Sequence, residues 1–247
     1  MTTSRKMMMA TAGAGAGVEV PTEGQLWYAG DGQFGQTGRG STSDNKNWTN
    51  LTGDATWSRV ACGDWSSLGY KANGTLWTWG RGADGQSGHG DTTNRSSPVQ
   101  VGSLTNWGTH GRMGAEVSSH IKTDGTLWVF GNNQHYQVGD GTTTHRSSPV
   151  QIGSATNWAS VGGAAYSSCA INTSGQLYTW GRNTSVGTCG QGHDSSNIQT
   201  PTQVGSLTNW KHAASLKGNS IICSKTDGTM WAWGTNGSGR LGLGDTS

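Results

Sequence analysis

Charge is what this chain has least of. Lysine and arginine number 16 and aspartate and glutamate 14, so 12% of the 247 residues are charged, against about 25% in an ordinary soluble protein. The net charge is +2, and Arg5-Lys6 is the only adjacent pair of lysine or arginine. Binding to phosphates needs several cations close together, because each contact contributes by releasing counterions; nucleic acid is therefore not an expected partner. An apolar run of about 18 residues is also missing, which excludes a membrane-spanning helix.

Cysteine is scarce too. Cys62, Cys169, Cys189 and Cys223 are widely spaced and form no Cys-x-x-Cys pair, so they read as structural free thiols rather than disulfides or metal ligands. No Ser/His/Asp order and no paired carboxylates can be assigned. The expectation is a non-enzymatic protein without a cofactor.

Glycine and tryptophan are abundant instead, at 42 and 13 residues. They are organised by a repeat. Gly-Thr-Leu-Trp-Thr-Trp-Gly, ending at Gly80, returns in altered form with its closing glycine at 30, 131, 181 and 234. A period of about fifty residues means one supersecondary unit repeated, with a core built only where neighbours stack. Full units are expected over 58–107, 108–158 and 159–210, with partial units over 21–57 and 211–247.

Each unit carries a hairpin signal. Asn73-Gly74, Asp124-Gly125 and Asp227-Gly228 are the pairs favoured in type I′ turns. A short strand precedes each turn and an aromatic strand follows it, as in Leu76-Trp77-Thr78-Trp79. Its first ring (Trp27, Trp77, Trp128, Tyr178, Trp231) is expected to pack between adjacent sheets. A glycine-rich loop comes next, then an outer strand opened by proline, as in Ser97-Pro98-Val99-Gln100-Val101. Proline cannot donate to a ladder and belongs at a strand start or sheet edge. Three or four short strands per unit, with proline at the edge, describe a propeller blade.

Together these residues resemble the regulator-of-chromosome-condensation repeat: Asp-Gly-x-Leu-Tyr-x-Trp-Gly-x-Asn, then Gly-Gln-Leu-Gly-x-Gly, then Pro-x-x-Val. The run Asp227 to Asp245 follows it closely. The resemblance implies an all-β fold, a β-propeller of that type. Its members usually have seven blades, whereas this chain has material for about five, which implies a short ring, an open ring, or one completed by another chain. Family functions include nucleotide exchange on a small GTPase, chromatin docking, ultraviolet-B sensing and β-lactamase inhibition; a shared fold does not choose among them. The basic tail of chromatin docking is absent, as is the Gly-Trp-Arg-His-Thr motif of the photoreceptor.

Other motifs have plain readings. Gly30-Asp31-Gly32-Gln33-Phe34-Gly35 and Gly80-Arg81-Gly82-Ala83-Asp84-Gly85 fit the dinucleotide fingerprint, yet no helical period follows to receive a pyrophosphate. They read as loop glycines of the repeat. His89, His145 and His193 read as solvated loop histidines. His135-Tyr136 stands where sister units carry the glycine of Gly-Gln, which makes this pair a candidate binding feature.

Residues 1–20, rich in Met, Gly and Ala, lack the apolar core of a signal peptide and read as an anchor segment, with Met7, Met8 and Met9 as its contact residues. With the unfinished repeat count and the neutral Ser/Thr/Asn surface, this gives the leading expectation: a structural and binding protein of a virion, most plausibly a tailed bacteriophage. Its partners would be other virion proteins or copies of itself, and host-surface glycan. The alternative is a soluble cytoplasmic adaptor or inhibitor that binds a partner protein.

Overall fold

A computed structural model describes residues 25–51, 56–163, 166–185, 187–216 and 219–245. Every regular element among them is a β-strand, and no helix is long and apolar enough to cross a membrane. Met7, Met8 and Met9 lie outside the described residues.

The strands form five antiparallel sheets in chain order. The first pairs β1 (Trp27–Gly30) with β2 (Asn45–Asn50). The second contains β3 (Trp57–Cys62), β4 (Ser66–Lys71), β5 (Leu76–Gly80) and β6 (Arg95–Gln100). The third contains β7 (Trp107–Met113), β8 (Val117–Lys122), β9 (Leu127–Gly131) and β10 (Arg146–Gln151). The fourth contains β11 (Trp158–Gly163), β12 (Ser167–Asn172), β13 (Leu177–Gly181) and β14 (Ile198–Gln203). The fifth has three strands, β15 (Trp210–Leu216), β16 (Ser220–Lys225) and β17 (Met230–Gly234). Consecutive strands are neighbours throughout, and the first strands of adjoining sheets, β3, β7, β11 and β15, pack against one another in turn. These are propeller blades arranged around an inner wall.

No sheet has a core of its own. Leu68, Tyr70 and Leu76 of the second sheet cluster with Trp107, Met113 and Phe130 of the third. Val117, Leu127 and Val129 of the third cluster with Trp158, Val161 and Trp180 of the fourth. Cys169, Ile171 and Leu177 then join Trp210, Ile221 and Cys223. Apolar burial is the main stabilising contribution, and here it exists only between neighbours, as the repeat implies.

The first ring of the aromatic strand packs as expected against clusters shared by neighbouring sheets, at Trp77, Trp128 and Tyr178. The second ring bonds to the adjoining blade. Indole Nε1 of Trp79 donates to the Gln36 carbonyl at 2.8 Å, Trp180 to the Gln137 carbonyl at 2.9 Å, and Trp233 to the Thr188 carbonyl at 2.8 Å. The acceptor always lies in the loop of the preceding blade. The first ring also stands edge-on to the tryptophan that opens the inner strand: Trp77 with Trp57, Trp128 with Trp107, Trp231 with Trp210.

The hairpin turns also differ from type I′. Among the turn pairs only the glycines, Gly74, Gly125 and Gly228, have positive φ, while Asn73, Asp124 and Asp227 do not. Gly74 N–H donates to the Lys71 carbonyl and Lys71 N–H to the Thr75 carbonyl. This is the three-residue loop in which a type I turn is followed by a left-handed glycine. Asparagine or aspartate is used for its side chain: Thr75 Oγ1 donates to Asn73 Oδ1 at 2.7 Å and accepts from Trp77 Nε1 at 2.8 Å. The motif Asn/Asp-Gly-Thr-x-Trp is thus a relay that fixes the first ring.

Proline falls inside the outer strand rather than at its start. Pro98 lies within β6, where the register with β5 shifts between Thr78 and Gly80. An irregular edge strand has no ladder bond there for the missing N–H to break.

Candidate functional site

In each blade the turn between the first two strands and the loop after the third strand lie at the same end. The third-strand loop of one blade leans over the first turn of the next. Two such junctions carry an aromatic ring, a guanidinium and a second ring. At one, Phe34 meets Trp65 edge-on, with centroids 6.3 Å apart, and Arg81 lies over Trp65 at 5.0 Å. At the other, His135 meets Tyr166 at 5.5 Å and Arg182 lies over Tyr166 at 5.6 Å. All six side chains are half-buried, resting on the fold with part of each surface open.

The repeat itself builds this constellation. Arg81 N–H donates to the Trp65 carbonyl and Arg182 N–H to the Tyr166 carbonyl, which pins the cation beside its ring. Gln36 Oε1 accepts from Phe34 N–H, and Gln137 Oε1 from His135 N–H, both at 2.8 Å. The glutamine of Gly-Gln therefore holds the loop residue that contacts the next blade. At the junction between them the matching positions are Asp84, Glu116 and Asn132, and Arg81 also reaches Asp84 at 2.8 Å. An acidic stretch thus separates two aromatic and basic ones.

His135 and Tyr136 have separate roles. Burial, then the Arg182 charge, pulls the His135 pKa below its ordinary value, so the ring is neutral at pH 7. Tyr136 takes φ of 64° where Gly35 and Gly85 take 82° and 81°. A Cβ at Gly35 would press on Ser96 Cα of the next outer strand, at 2.5 Å.

The remaining histidines correct the sequence reading in part. His145 and His193 are exposed, but His89 is half-buried, with Nε2 at 2.9 Å from Thr78 Oγ1 and its pKa lowered chiefly by burial. His120, which the sequence did not single out, is wholly buried in the third sheet. Its Nδ1 lies 2.6 Å from the Tyr70 hydroxyl and its Nε2 2.8 Å from Ser118 Oγ, with the ring stacked on Phe130. Burial pulls its pKa down to about 3. A serine, a histidine and a tyrosine in line suggest acid–base chemistry, but all three are sealed from solvent and the arrangement is structural. Cys169, Cys189 and Cys223 are free and buried, with thiol pKa values pushed up by burial. Cys62 is exposed rather than buried. Among the described residues no three His, Cys, Asp or Glu side chains gather as metal ligands.

The fold also assembles basic side chains that look scattered in the sequence. Arg59 of β3, His110 and Arg112 of β7, and Lys211 and His212 of β15 line a concavity of about 660 Å³ on the inner wall. Burial and the neighbouring Arg112 charge lower the Arg59 pKa. One or two basic residues in each of β3, β7 and β15 give no signal until the strands are brought side by side.

The comparisons with known proteins agree with this architecture. The family model for the regulator of chromosome condensation (RCC1) repeat matches residues 73–116, 124–171 and 174–215, and a second model of the same repeat matches 57–86. The human E3 ubiquitin-protein ligase HERC2 is 31% identical over 131 residues, which is 51% of this chain and 3% of that protein. The regulator of chromosome condensation of Xenopus laevis is 26% identical over 136 residues, covering 53% of this chain and 32% of that protein. Yeast RCC1 (Prp20), solved bound to Kap60, superposes with a TM-score of 0.77 at 18% identity, covering 90% of this chain and 54% of that one. A second Prp20 structure, from a study that also treats its binding to Gsp1p and histones, gives 0.75 at 18% identity, covering 90% of this chain and 56% of that one. This chain thus spans from a small fraction to little more than half of the relatives it matches. With the repeat model covering more than half of its residues, the chain belongs to the regulator of chromosome condensation (RCC1) repeat family.

Proposed function

We propose that this chain is a protein-binding propeller, an adaptor that engages a partner protein through the end bearing Phe34, Trp65, Arg81, His135, Tyr136, Tyr166 and Arg182. The observation that carries the reading is the pair of half-buried ring–guanidinium clusters at equivalent junctions. Tryptophan, tyrosine and arginine are the residues that dominate interface energetics, because they combine large area with a directed polar group. Here they are already positioned by backbone hydrogen bonds, so little ordering remains to oppose binding.

The adaptor is adopted over the virion reading. The virion reading leaned on residues 1–20, and nothing in the described surface or in the named relatives speaks for a particle. Binding of Kap60, Gsp1p and histones is named for Prp20, and a protein partner for this chain is in keeping with that. Buried free thiols suit a reducing compartment, which favours the cytoplasmic alternative.

The test is photo-crosslinking from position 134, at the rim of the second cluster, with identification of the captured protein and measurement of its affinity. Trp65→Ala with Tyr166→Ala should weaken that complex at least about tenfold while the melting curve stays cooperative. Unchanged affinity in the folded double variant removes this surface from the interface.

A further inference from the structure

At the opposite end of the blades, where the second strand turns into the third, three sheets share one device. Lys71 Nζ lies 5.0 Å from the Trp57 ring and 4.2 Å from the Trp77 ring. Lys122 Nζ lies 4.8 Å from Trp107 and 3.5 Å from Trp128, and Lys225 Nζ 5.0 Å from Trp210 and 4.1 Å from Trp231. The chain places its own ammonium on an aromatic pair three times. Such contacts are favourable because the ring face is electron-rich.

The fourth sheet keeps the aromatic pair and omits the ammonium. Trp158 and Tyr178 meet edge-on at 5.1 Å, and Trp158 pairs in register with Asn172, as Trp57, Trp107 and Trp210 do with their lysines. Four residues change together: lysine becomes Asn172, the turn residue Ser174, threonine Gln176, and the first ring Tyr178. The new side chains bond to one another. Asn172 Nδ2 donates to Gln176 Oε1 at 2.7 Å, and Gln176 Nε2 to Gln203 Oε1 at 3.2 Å. Among the described residues no cation stands over Trp158 or Tyr178. Both rings, with Asn172, Gln176 and Pro201, line an open concavity of about 520 Å³.

We infer that this corner is a binding seat for a lysine side chain supplied by a partner protein. It is a site distinct from the surface at the other end, and it does not depend on that assignment. The three sister corners are its evidence: the same backbone register accepts an ammonium wherever the chain provides one. The amide side chains of Asn172 and Gln176 line the concavity beside the rings and offer polar groups where a sister corner has its own lysine. Lys225 is held over its own ring pair. Asn172 also borders the concavity lined by Arg59, Arg112 and Lys211, so the seat is the side that Trp158, Gln176 and Tyr178 face.

The test uses Nα-acetyl-lysine-N-methylamide as the probe and the indole N–H resonance of Trp158 as the readout, assigned with Trp158→Phe. The expected result is a saturable shift that disappears when the probe is acetylated at Nε. Asn172→Lys, which installs the residue of the sister corners, should reduce binding at least about tenfold without loss of the fold, because the internal ammonium then occupies the ring. Tyr178→Trp should retain binding. The inference is overturned if no saturable shift appears, if the Nε-acetylated probe binds equally, if Asn172→Lys leaves binding unchanged, or if a methyl glycoside shifts the resonance where lysine does not.

Discussion

The corners of the third and fourth sheets occupy the same place in the blade and solve it differently. In the third, Asp124 anchors Thr126, Thr126 anchors Trp128, and Lys122 closes over both rings. Hydrogen bonds from Thr126 hold the Asp124 carboxyl below its usual pKa. In the fourth, Asn172 stands in place of the lysine and Ser174 in place of the aspartate, Asn172 bonds to Gln176, and the ring pair lines a concavity. The corner pairing is the same in both, Trp107 opposite Lys122 and Trp158 opposite Asn172, although the bulge that follows is one residue longer in the third sheet, so the corner needs the tryptophan that opens it and the turn glycine, but not the ion. The charged relay is an added brace, and where it is dispensed with the corner becomes available for other uses.

Removing the opening ring should break the comparison most severely. Trp107→Ala is expected to lower unfolding stability by about 3–5 kcal/mol, the usual cost of deleting a buried aromatic, and Trp158→Ala by less, because no lysine leans on it. Urea titration of both variants decides this. Equal losses would mean that the ammonium contacts contribute nothing.

Acid should distinguish the third sheet next, through His120. Its folded pKa is about 3 against about 6.5 when unfolded. The unfolded chain therefore binds the extra proton first. Stability from this group is fully present above the unfolded value and declines as pH falls from there toward the folded one. Between pH 7 and pH 5 the loss is about 2 kcal/mol. Melting temperature against pH should show that slope, and His120→Gln should flatten it even though it starts from a lower value. The position matching His120 in the fourth sheet is Ala170, so that sheet adds no such dependence.

The smallest effect belongs to the relay. Asp124→Ala should cost about 1 kcal/mol, a typical net value for lost hydrogen bonds, while Ser174→Ala in the fourth sheet should be close to neutral. Chemical denaturation compares the two directly. Because the Asp124 pKa is depressed, its contribution is complete above the ordinary aspartate value and fades as pH falls below about 3.9.

The period, the turns and the aromatic strands were legible because each depends on residues close in sequence. Asn73-Gly74 announces a chain reversal whichever turn type forms. What was missed lies in side-chain bonding, within the turn and between blades. Type I′ was expected from the dipeptide alone, yet the Asn73 side chain serves Thr75 and Trp77 rather than a left-handed backbone. Which ring bonds to the neighbouring blade is settled by the Gln36 and Gln137 carbonyls, more than 40 residues from the indoles they accept. His135 was legible as an intruder in the repeat, whereas its partners Tyr166 and Arg182 come from the next blade and carry no local mark. Phe34, Trp65 and Arg81 escaped notice for the same reason.

The bonds from Trp79, Trp180 and Trp233 to the preceding loop give the blades a direction in time. A chain emerging from the ribosome appears amino terminus first, so each loop is made before the indole that will hold it. Assembly therefore lags synthesis by one period, and every completed blade is locked by the blade that follows it. At the third sheet the locking ring is Phe130, which cannot donate, and His120 stacks on it instead. That joint is closed from the inner strands, where His120 Nδ1 lies 2.6 Å from the Tyr70 hydroxyl of the preceding sheet.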